Sequence, residues 1–244
     1  MILNRRVTEA EVIAEFLKNE FYQKQYDKDR KEFEPIVLNP DLTDDAQNVV
    51  RRALLYRRRG HMLREIPTDT IWHEATIDAD DLKRIRVFPR AHWRKISDGS
   101  FLLSEIVRRI CESAIGEKDP AFLKIQQLRY RLQCEPLNST VLLIGVDEEL
   151  PLTILEGNHR LAAAMLVSPQ LVHTGFRMIC GLSPRMYESC WYDTNIPTLW
   201  TYVKNRLNNL VDKEANIERA LATGGENASP AFARTLKTEK AQAK

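Results

Sequence analysis

The first part of the chain has hydrophobic and polar positions that repeat with the spacing of an α-helix. Thr8 and Glu11 are spaced as in a capping box, which predicts a helix over about residues 9–24. Residues 27–41 carry many charges and two prolines, so they are predicted to form a connection. The pattern indicates a helical N-terminal region over residues 1–66.

After residue 67 the pattern changes to short apolar runs, typical of β-strands, that alternate with segments of helical spacing. The predicted strands are 71–77, 85–88, 140–146, 151–155 and 176–180. The predicted helices are 100–115, 119–134, 159–167 and 197–210, and Asp119 with Pro120 is predicted to cap and open the second of them. The strands 140–146 and 151–155 are predicted to form a hairpin. This order predicts an α+β fold, with a small mixed sheet and packed helices over residues 67–181 and a helical C-terminal cover over 182–220. Residues 221–244 have little to bury, and we expect them to be disordered.

Composition places the chain among ordinary globular proteins, with 244 residues, 43% hydrophobic and 29% charged. Its sequence contains no apolar run of the ~20 residues that a membrane span needs, and its first residues do not resemble a secretory signal. The four cysteines lie far apart, which is typical of reduced thiols. We therefore expect a cytoplasmic protein without a membrane partner.

The net charge of +2 conceals two basic blocks, residues 46–64 and residues 83–95, which contain no acidic residue. The first block lies on a helix predicted from Thr43 to just before Gly60, where its arginines share one side. Such blocks suit an anionic partner, although a solvated helix face would have the same composition. The candidate anion-binding or nucleic-acid-binding residues are Arg51, Arg52, Arg58, Arg59, Arg90 and Arg94.

The most informative segment is Thr153-Ile-Leu-Glu-Gly-Asn-His-Arg-Leu-Ala-Ala-Ala-Met165, a predicted strand, glycine turn and helix start. Gly157 can adopt a positive φ and lets an anion approach the main chain. The first amides of a helix lack partners within it, and the helix dipole is positive there, so this turn is a candidate phosphate site. The candidate phosphate-binding residues are Gly157, Asn158, His159 and Arg160.

Glu156 directly precedes this glycine, and a carboxylate beside a phosphate is repelled unless it binds a metal, orients a base or takes up a proton. We therefore consider Glu156 and His159 as catalytic residues, with Glu156 as a possible ligand of Mg²⁺. The alternatives are that Glu156 only pairs with Arg160 and that His159 is a buried histidine bonded to backbone. Glu74, in the first strand after residue 67, is a further catalytic candidate, with an ordinary surface acid as its alternative.

Leu155-Glu-Gly-Asn-His-Arg-Leu-Ala162 resembles the acid-Gly-x-(His/Gln)-Arg signature of the ParB/sulfiredoxin superfamily, and the resemblance covers about residues 70–180. That superfamily includes sulfiredoxins, chromosome-partitioning CTPases, free-serine kinases, plasmid fertility-inhibition proteins and phage-defence proteins. The resemblance implies that a nucleotide phosphate binds at the turn. Asn158 replaces the reactive cysteine of sulfiredoxins, which argues against peroxiredoxin repair, and Glu156 replaces the commoner aspartate.

Three functions remain open at this stage. The first is an enzyme that binds ATP or another nucleotide with Mg²⁺ and hydrolyses it or transfers its phosphate, to a small molecule for example. The second is a DNA-acting protein, such as a nuclease or a plasmid or phage regulator, which the basic blocks favour. The third is a non-catalytic inhibitor of a partner protein. We rank phosphate transfer or nucleotide hydrolysis above DNA cleavage, and the sequence leaves the oligomeric state open.

Overall fold

The computed structural model describes residues 1–112, 119–135 and 139–209, together with residue 217. The chain divides into two compact units. Of the described residues, one unit consists of Met1–Thr8 and Glu65–Tyr202, and the other contains Glu9–Arg64 and the residues that follow Tyr202. The predicted disordered tail, residues 221–244, lies outside the described residues.

The first unit is built on a six-stranded mixed sheet. Its strands are β1 (Ile2–Val7), β2 (Ile71–Thr76), β3 (Arg86–Val87), β4 (Ser139–Gly145), β5 (Thr153–Glu156) and β6 (Phe176–Leu182). They lie in the order β1-β2-β6-β4-β5-β3, with β4 parallel to β6 and β3 parallel to β5. The remaining neighbours are antiparallel, including the predicted hairpin of β4 and β5. The α+β class and the mixed sheet with packed helices are thereby confirmed.

The helices account for most of the remaining described residues. They are α1 (Glu9–Glu20), α2 (Asp27–Leu38), α3 (Asp45–Leu63), α4 (Ala79–Arg84), α5 (Ala91–Ile96), α6 (Leu103–Cys111), α7 (Pro120–Cys134), α8 (Asn158–Val167), α9 (Pro169–Gly175) and α10 (Ile196–Asn208). Asp119 caps α7 and Pro120 occupies its first turn, as the sequence predicts. Within the described chain, every helix is too short or too polar to cross a membrane.

One face of the sheet packs against helices and forms a hydrophobic core. Alternate residues of β4, Val141 and Leu143, are fully buried there with Ile154 of β5, because side chains of a strand alternate between its faces. Helix α8 contributes Leu161 and three consecutive alanines, all fully buried. These small side chains allow the helix to lie close to the sheet, and they fix its first turn at the end of β5.

The N-terminal region differs from its prediction in two places. Residues 2–7 form an edge strand paired with β2 rather than part of a helical region. The predicted connection over 27–41 is mostly the helix α2, because this segment buries Phe33, Ile36 and Val37. Pro35 lies in the last turn of α2, where its missing N–H removes only one helical hydrogen bond. The prediction of a connection from local charge and proline content was therefore wrong, because these residues form a packed helix.

The sheet unit contains a buried carboxyl group at Glu65, whose residue surface is only 6% exposed. One of its oxygens, Oε2, accepts the backbone N–H of Cys190 at 2.9 Å. The other, Oε1, has no hydrogen-bond partner among the described residues. Burial raises the pKa of Glu65 to about 7 and outweighs the Cys190 hydrogen bond, which lowers it. Folding therefore favours the protonated, neutral form of this side chain.

We expect the Glu65→Gln substitution to flatten the dependence of stability on pH between about 4.5 and 7. The folded pKa of Glu65 lies above the unfolded value of 4.5, so its protonated form stabilises the fold and stability falls as pH rises through this window. The loss is on the order of 3 kcal/mol above pH 7. Urea unfolding at pH 5 and pH 8 measures it, with the exposed Glu148→Gln as control. Identical pH profiles for wild type and Glu65→Gln would contradict this account.

Candidate functional site

The predicted strand, glycine turn and helix start are present as one continuous unit. β5 ends at Glu156, Gly157 adopts φ 110° and ψ 9°, and α8 begins at Asn158. Only glycine reaches this left-handed conformation without strain. A Cβ at this position would also lie 3.1 Å from Cγ2 of Val141 in the neighbouring strand β4. Both the backbone angle and the close approach of β4 therefore require glycine here.

The first turn of α8 offers donors without helical partners. Gly157 supplies no side-chain cap, so the amides that follow it face the space before the helix with the positive end of its dipole. Oδ1 of Asn158 is buried and has no hydrogen-bond partner among the described residues. A rotated Asn158 amide would place its NH₂ donors at the same position. In that rotated state, the Asn158 donors beside amides that have no partner within the helix are suited to an anionic ligand.

Arg160 fastens the start of α8 to two strands. Its guanidinium donates to the Ser139 hydroxyl and to the Thr140 carbonyl (3.3 Å), both in β4, and it pairs with the Glu156 carboxylate. The Glu156–Arg160 ion pair considered as an alternative from the sequence is therefore present. Both side chains keep a partly exposed surface, so the pair lies at the rim of the turn.

His159 is largely buried against the ring of Trp93, whose centroid lies 5.0 Å away. Burial lowers the pKa of His159 to about 4, and the positive charges of Lys124, His92 and Arg160 lower it further. The imidazole is therefore neutral at pH 7 and can donate one hydrogen bond and accept another. In this neutral form His159 does not bring a positive charge to the turn.

The basic residues around His159 come from three helices, and the sequence had not identified two of them, Lys124 and His92, as site residues. Lys124 lies on α7, which packs against α8, and His92 lies on α5 next to Trp93. Nε2 of His92 is 3.6 Å from Oδ1 of Asp119, the cap of α7. The sequence signal that pointed here was the basic block at 83–95, since α5 lies within it.

Arg90 and Arg94, the candidates from the second basic block, flank this segment. Both are exposed, and Arg90 directly precedes α5. Its guanidinium lies 5.1 Å from the ring centres of Phe88 and Trp191, which are themselves stacked. Trp191 is buried and stacks on Phe88, so it makes contacts within the fold. The second basic block thus adjoins the glycine turn through Trp93.

Glu74 is not brought to the turn. Register places Glu74 opposite Ile179, Ile179 opposite Leu142, and Leu142 opposite Glu156, so the two carboxylates share one row of the sheet. Three strand spacings separate them, roughly 14 Å. Glu74 instead binds Arg177 (2.9 Å) and Arg5 (3.0 Å). Its proposed catalytic role has no support from this position.

The first basic block is not a solvated stripe. Arg51 is fully buried and donates to the carbonyls of Ile36 (3.0 Å) and Asp41 (2.8 Å), connecting α3 to the end of α2. Arg51 also donates to the side-chain oxygens of Gln47 and Asn48. The prediction that Arg51 faces an anionic partner is therefore wrong, because the residue is buried and its partners belong to its own unit.

The other arginines of that block also bind within the helical unit. Arg52 pairs with Glu9 (2.7 Å) and lies over the Tyr56 ring. Arg59 makes a bidentate ion pair with Glu20 of α1, which is buried. The exposed Arg58 donates to the Gln25 carbonyl at 2.8 Å. These arginines hold α3 against the neighbouring segments, so they do not support a nucleic-acid site.

Among the described residues, no cluster of three or more histidine, cysteine, aspartate or glutamate side chains could hold a metal ion. Glu156 is the carboxylate at the turn. Mg²⁺ in nucleotide sites is bound by phosphates and water with one or two carboxylates, so Glu156 suits an ion that arrives with a nucleotide. It does not suit a site made by protein ligands alone.

Gly157→Ala tests the turn itself. We expect it to lower the free energy of unfolding by about 2–3 kcal/mol, because it combines a strained positive φ with crowding against Val141. Gly99→Ala is the matched control, since Gly99 has φ 85° with no atom within 4 Å of an added Cβ, and it should cost only about 1 kcal/mol. Urea denaturation measures both. Equal costs would show that the approach of Val141 does not constrain Gly157.

Arg51→Met separates a structural arginine from a binding arginine. Methionine keeps much of the apolar volume but leaves the carbonyls of Ile36 and Asp41 unpaired, so we expect a loss of about 3 kcal/mol. Arg58→Met, on the same helix, removes only a solvent-exposed hydrogen bond to Gln25, so it should stay within about 0.5 kcal/mol of wild type. Denaturation followed by circular dichroism gives both values. A stable Arg51→Met protein would return this residue to the candidates for ligand binding.

Comparisons of the chain with protein-family models, with curated proteins and with solved structures give no match. Membership of the ParB/sulfiredoxin superfamily therefore stays a prediction that depends on the motif at residues 155–162. What the chain does has to be argued from the geometry of the turn and the charges around it.

Proposed function

We propose that the chain binds a nucleotide, ATP in the first place, through its phosphates at the glycine turn, and that it hydrolyses the nucleotide or transfers the terminal phosphate. The observation that carries this proposal is the left-handed Gly157, after which the first amides of α8 lack partners within the helix. They lie beside the Asn158 side chain, whose NH₂ donors take the position of its unpaired Oδ1 when the amide is rotated. The motif's resemblance to superfamily members with a nucleotide phosphate at this turn supports it.

Charge around the turn favours a polyphosphate over a single phosphate. Lys124, His92 and Arg160 approach His159 from three helices, and Arg94 lies on the exposed part of α5. One phosphate at the amides of α8 would satisfy the helix end, while neighbouring phosphates would meet these cations. The negative charge of the bound phosphates would also raise the pKa of His159 again, because a nearby anion favours the imidazolium form.

Glu156 supplies the carboxylate for chemistry on the phosphate. In hydrolysis, a water oxygen would bond to the terminal phosphorus of ATP. The P–O bond that bridges the second and third phosphates would break, and ADP would leave with the electron pair. Glu156 is placed to accept the water proton once the ligand takes over Arg160, its present partner. Mg²⁺, arriving with the nucleotide, would neutralise charge on the phosphates. Transfer uses the same geometry with an acceptor hydroxyl in place of water.

The alternative of a DNA-acting protein is less well supported than the sequence suggested. Its main motivation was the arginine block at 51–59, whose members bind groups of the protein itself. An inhibitor that binds nucleotide without turnover would use the same turn, and only product analysis separates it from an enzyme.

Calorimetry with ATP, ADP, CTP and GTP, each with Mg²⁺, tests the proposal. We expect ATP to bind, and Asn158→Ala to weaken binding at least tenfold, or about 1.4 kcal/mol, because it removes the polar side chain at the phosphate position. Asn208→Ala, exposed at the end of α10, is the matched control and should bind as wild type does. Chromatography of the nucleotide then detects ADP. Failure of all four nucleotides to bind would overturn the proposal, and binding without product would leave a binding module.

A further inference from the structure

Two sulfur atoms and an imidazole meet on the face of the sheet that carries the hydrophobic core. Sγ of Cys180, on β6, lies 3.6 Å from Sδ of Met1, the residue that precedes β1. His73, on β2, is directly opposite Cys180 in the antiparallel pair of β2 and β6. Residues in such a position point to the same face, with Cβ atoms about 4.5–5.5 Å apart. We call Met1, His73 and Cys180 the sulfur–imidazole cluster.

The fold leaves one polar atom of this cluster unsatisfied. Nδ1 of His73 is buried and has no hydrogen-bond partner in the described parts of the chain. Buried ring nitrogens are normally hydrogen-bonded, so this atom calls for an explanation. The Cys180 thiol is fully buried, and its contact with the Met1 sulfur joins a weak donor to a weak acceptor. A ligand that binds nitrogen and sulfur together would satisfy all three side chains.

The distance between the two sulfur atoms suits a single metal ion. Two sulfur atoms that bind one ion at ~2.3 Å each, with an angle of about 110–120° at the ion, lie roughly 4 Å apart. The 3.6 Å between Cys180 and Met1 is close to that separation, so only a small shift is needed. Met1 and His73 are half-buried, and an ion can enter between them to reach the buried Cys180.

Ligand type and charge favour copper(I) over a divalent ion. Thiolate and thioether ligands select soft ions such as copper(I), whereas zinc takes four ligands and rarely uses methionine. A copper(I) ion and one thiolate are neutral together, which suits a buried position, because a net charge there is costly. The charged groups that act on Cys180 are the Met1 amine and Asp81, and these pair with each other at 2.8 Å. A divalent ion would leave a positive charge uncompensated.

We propose that the sulfur–imidazole cluster binds one copper(I) ion through Sδ of Met1, Nδ1 of His73 and Sγ of Cys180. The ion replaces the proton of the Cys180 thiol, which passes to solvent, and no electron is transferred. The bound ion connects the edge strand β1 to β2 and β6 through their side chains. The proposal does not rest on the nucleotide site.

Anaerobic titration of the full-length chain with the copper(I) complex of bicinchoninate tests the site, since the complex loses its colour as the protein takes the ion. The parent protein carries serine at Cys111 and Cys134, because these exposed thiols bind copper(I) on their own. We expect the parent to take up about one ion per chain. Cys180→Ser should weaken binding on the order of 100-fold, and His73→Gln about tenfold. Cys190→Ser is the matched control, because this buried thiol contacts the Thr194 hydroxyl instead, and it should bind as the parent does.

X-ray absorption at the copper edge identifies the ligands without altering the cluster, so it decides the matter even where Cys180→Ser fails to fold. The parent is labelled with selenomethionine and carries Met178→Leu, which removes a second methionine from the same face of β6. We expect one selenium, one sulfur and one imidazole nitrogen bound to copper. A copper ion without a selenium neighbour would overturn the proposal. Equal affinities of Cys180→Ser and Cys190→Ser, or no uptake of copper by the parent, would overturn it as well.

Discussion

The left-handed turn at Gly157 is the constraint on which the rest of the candidate site depends. It reverses the chain between the buried strand β5 and a helix whose alanines lie against the sheet, and β4 passes too close to admit a side chain. Because β4 is paired on both sides, with β5 and with β6, Val141 is held in place beside the glycine. The first amides of α8, which lack partners within the helix, therefore follow a buried strand and a sterically constrained glycine.

Charge is used in two different ways in this chain. In the helical unit, arginines bind groups of the protein itself, as Arg51 does with backbone carbonyls and Arg59 does with the buried Glu20. Around the glycine turn, Lys124, His92 and Arg160 from three helices surround a histidine whose pKa is lowered mainly by burial and further by these neighbours. The amino-acid composition alone does not distinguish the arginines of the helical unit from the basic residues around the glycine turn. Only the partners of each side chain distinguish a positive charge that stabilises the fold from one that is available to a ligand.

The sequence predicted the features that are encoded locally. The cap Asp119, the hairpin of β4 and β5, and the glycine turn each depend on a few adjacent residues, and each was found where the sequence indicated. The errors came from interactions over long separations. Arg51 meets Ile36 across 15 residues and Glu74 meets Arg177 across 103, and no local pattern reports such pairs. The helix α2 was missed because its hydrophobic contacts outweigh its charge and its proline.

The central claim is that a nucleotide phosphate binds to the amides that follow Gly157. A crystal structure of the chain with ADP and Mg²⁺ tests this most directly. The account predicts a phosphate oxygen within about 3 Å of the backbone nitrogens of Asn158 and His159, with a second phosphate facing the cations of α5 and α7. A nucleotide bound elsewhere on the chain, with the first turn of α8 still without an anion, would contradict it.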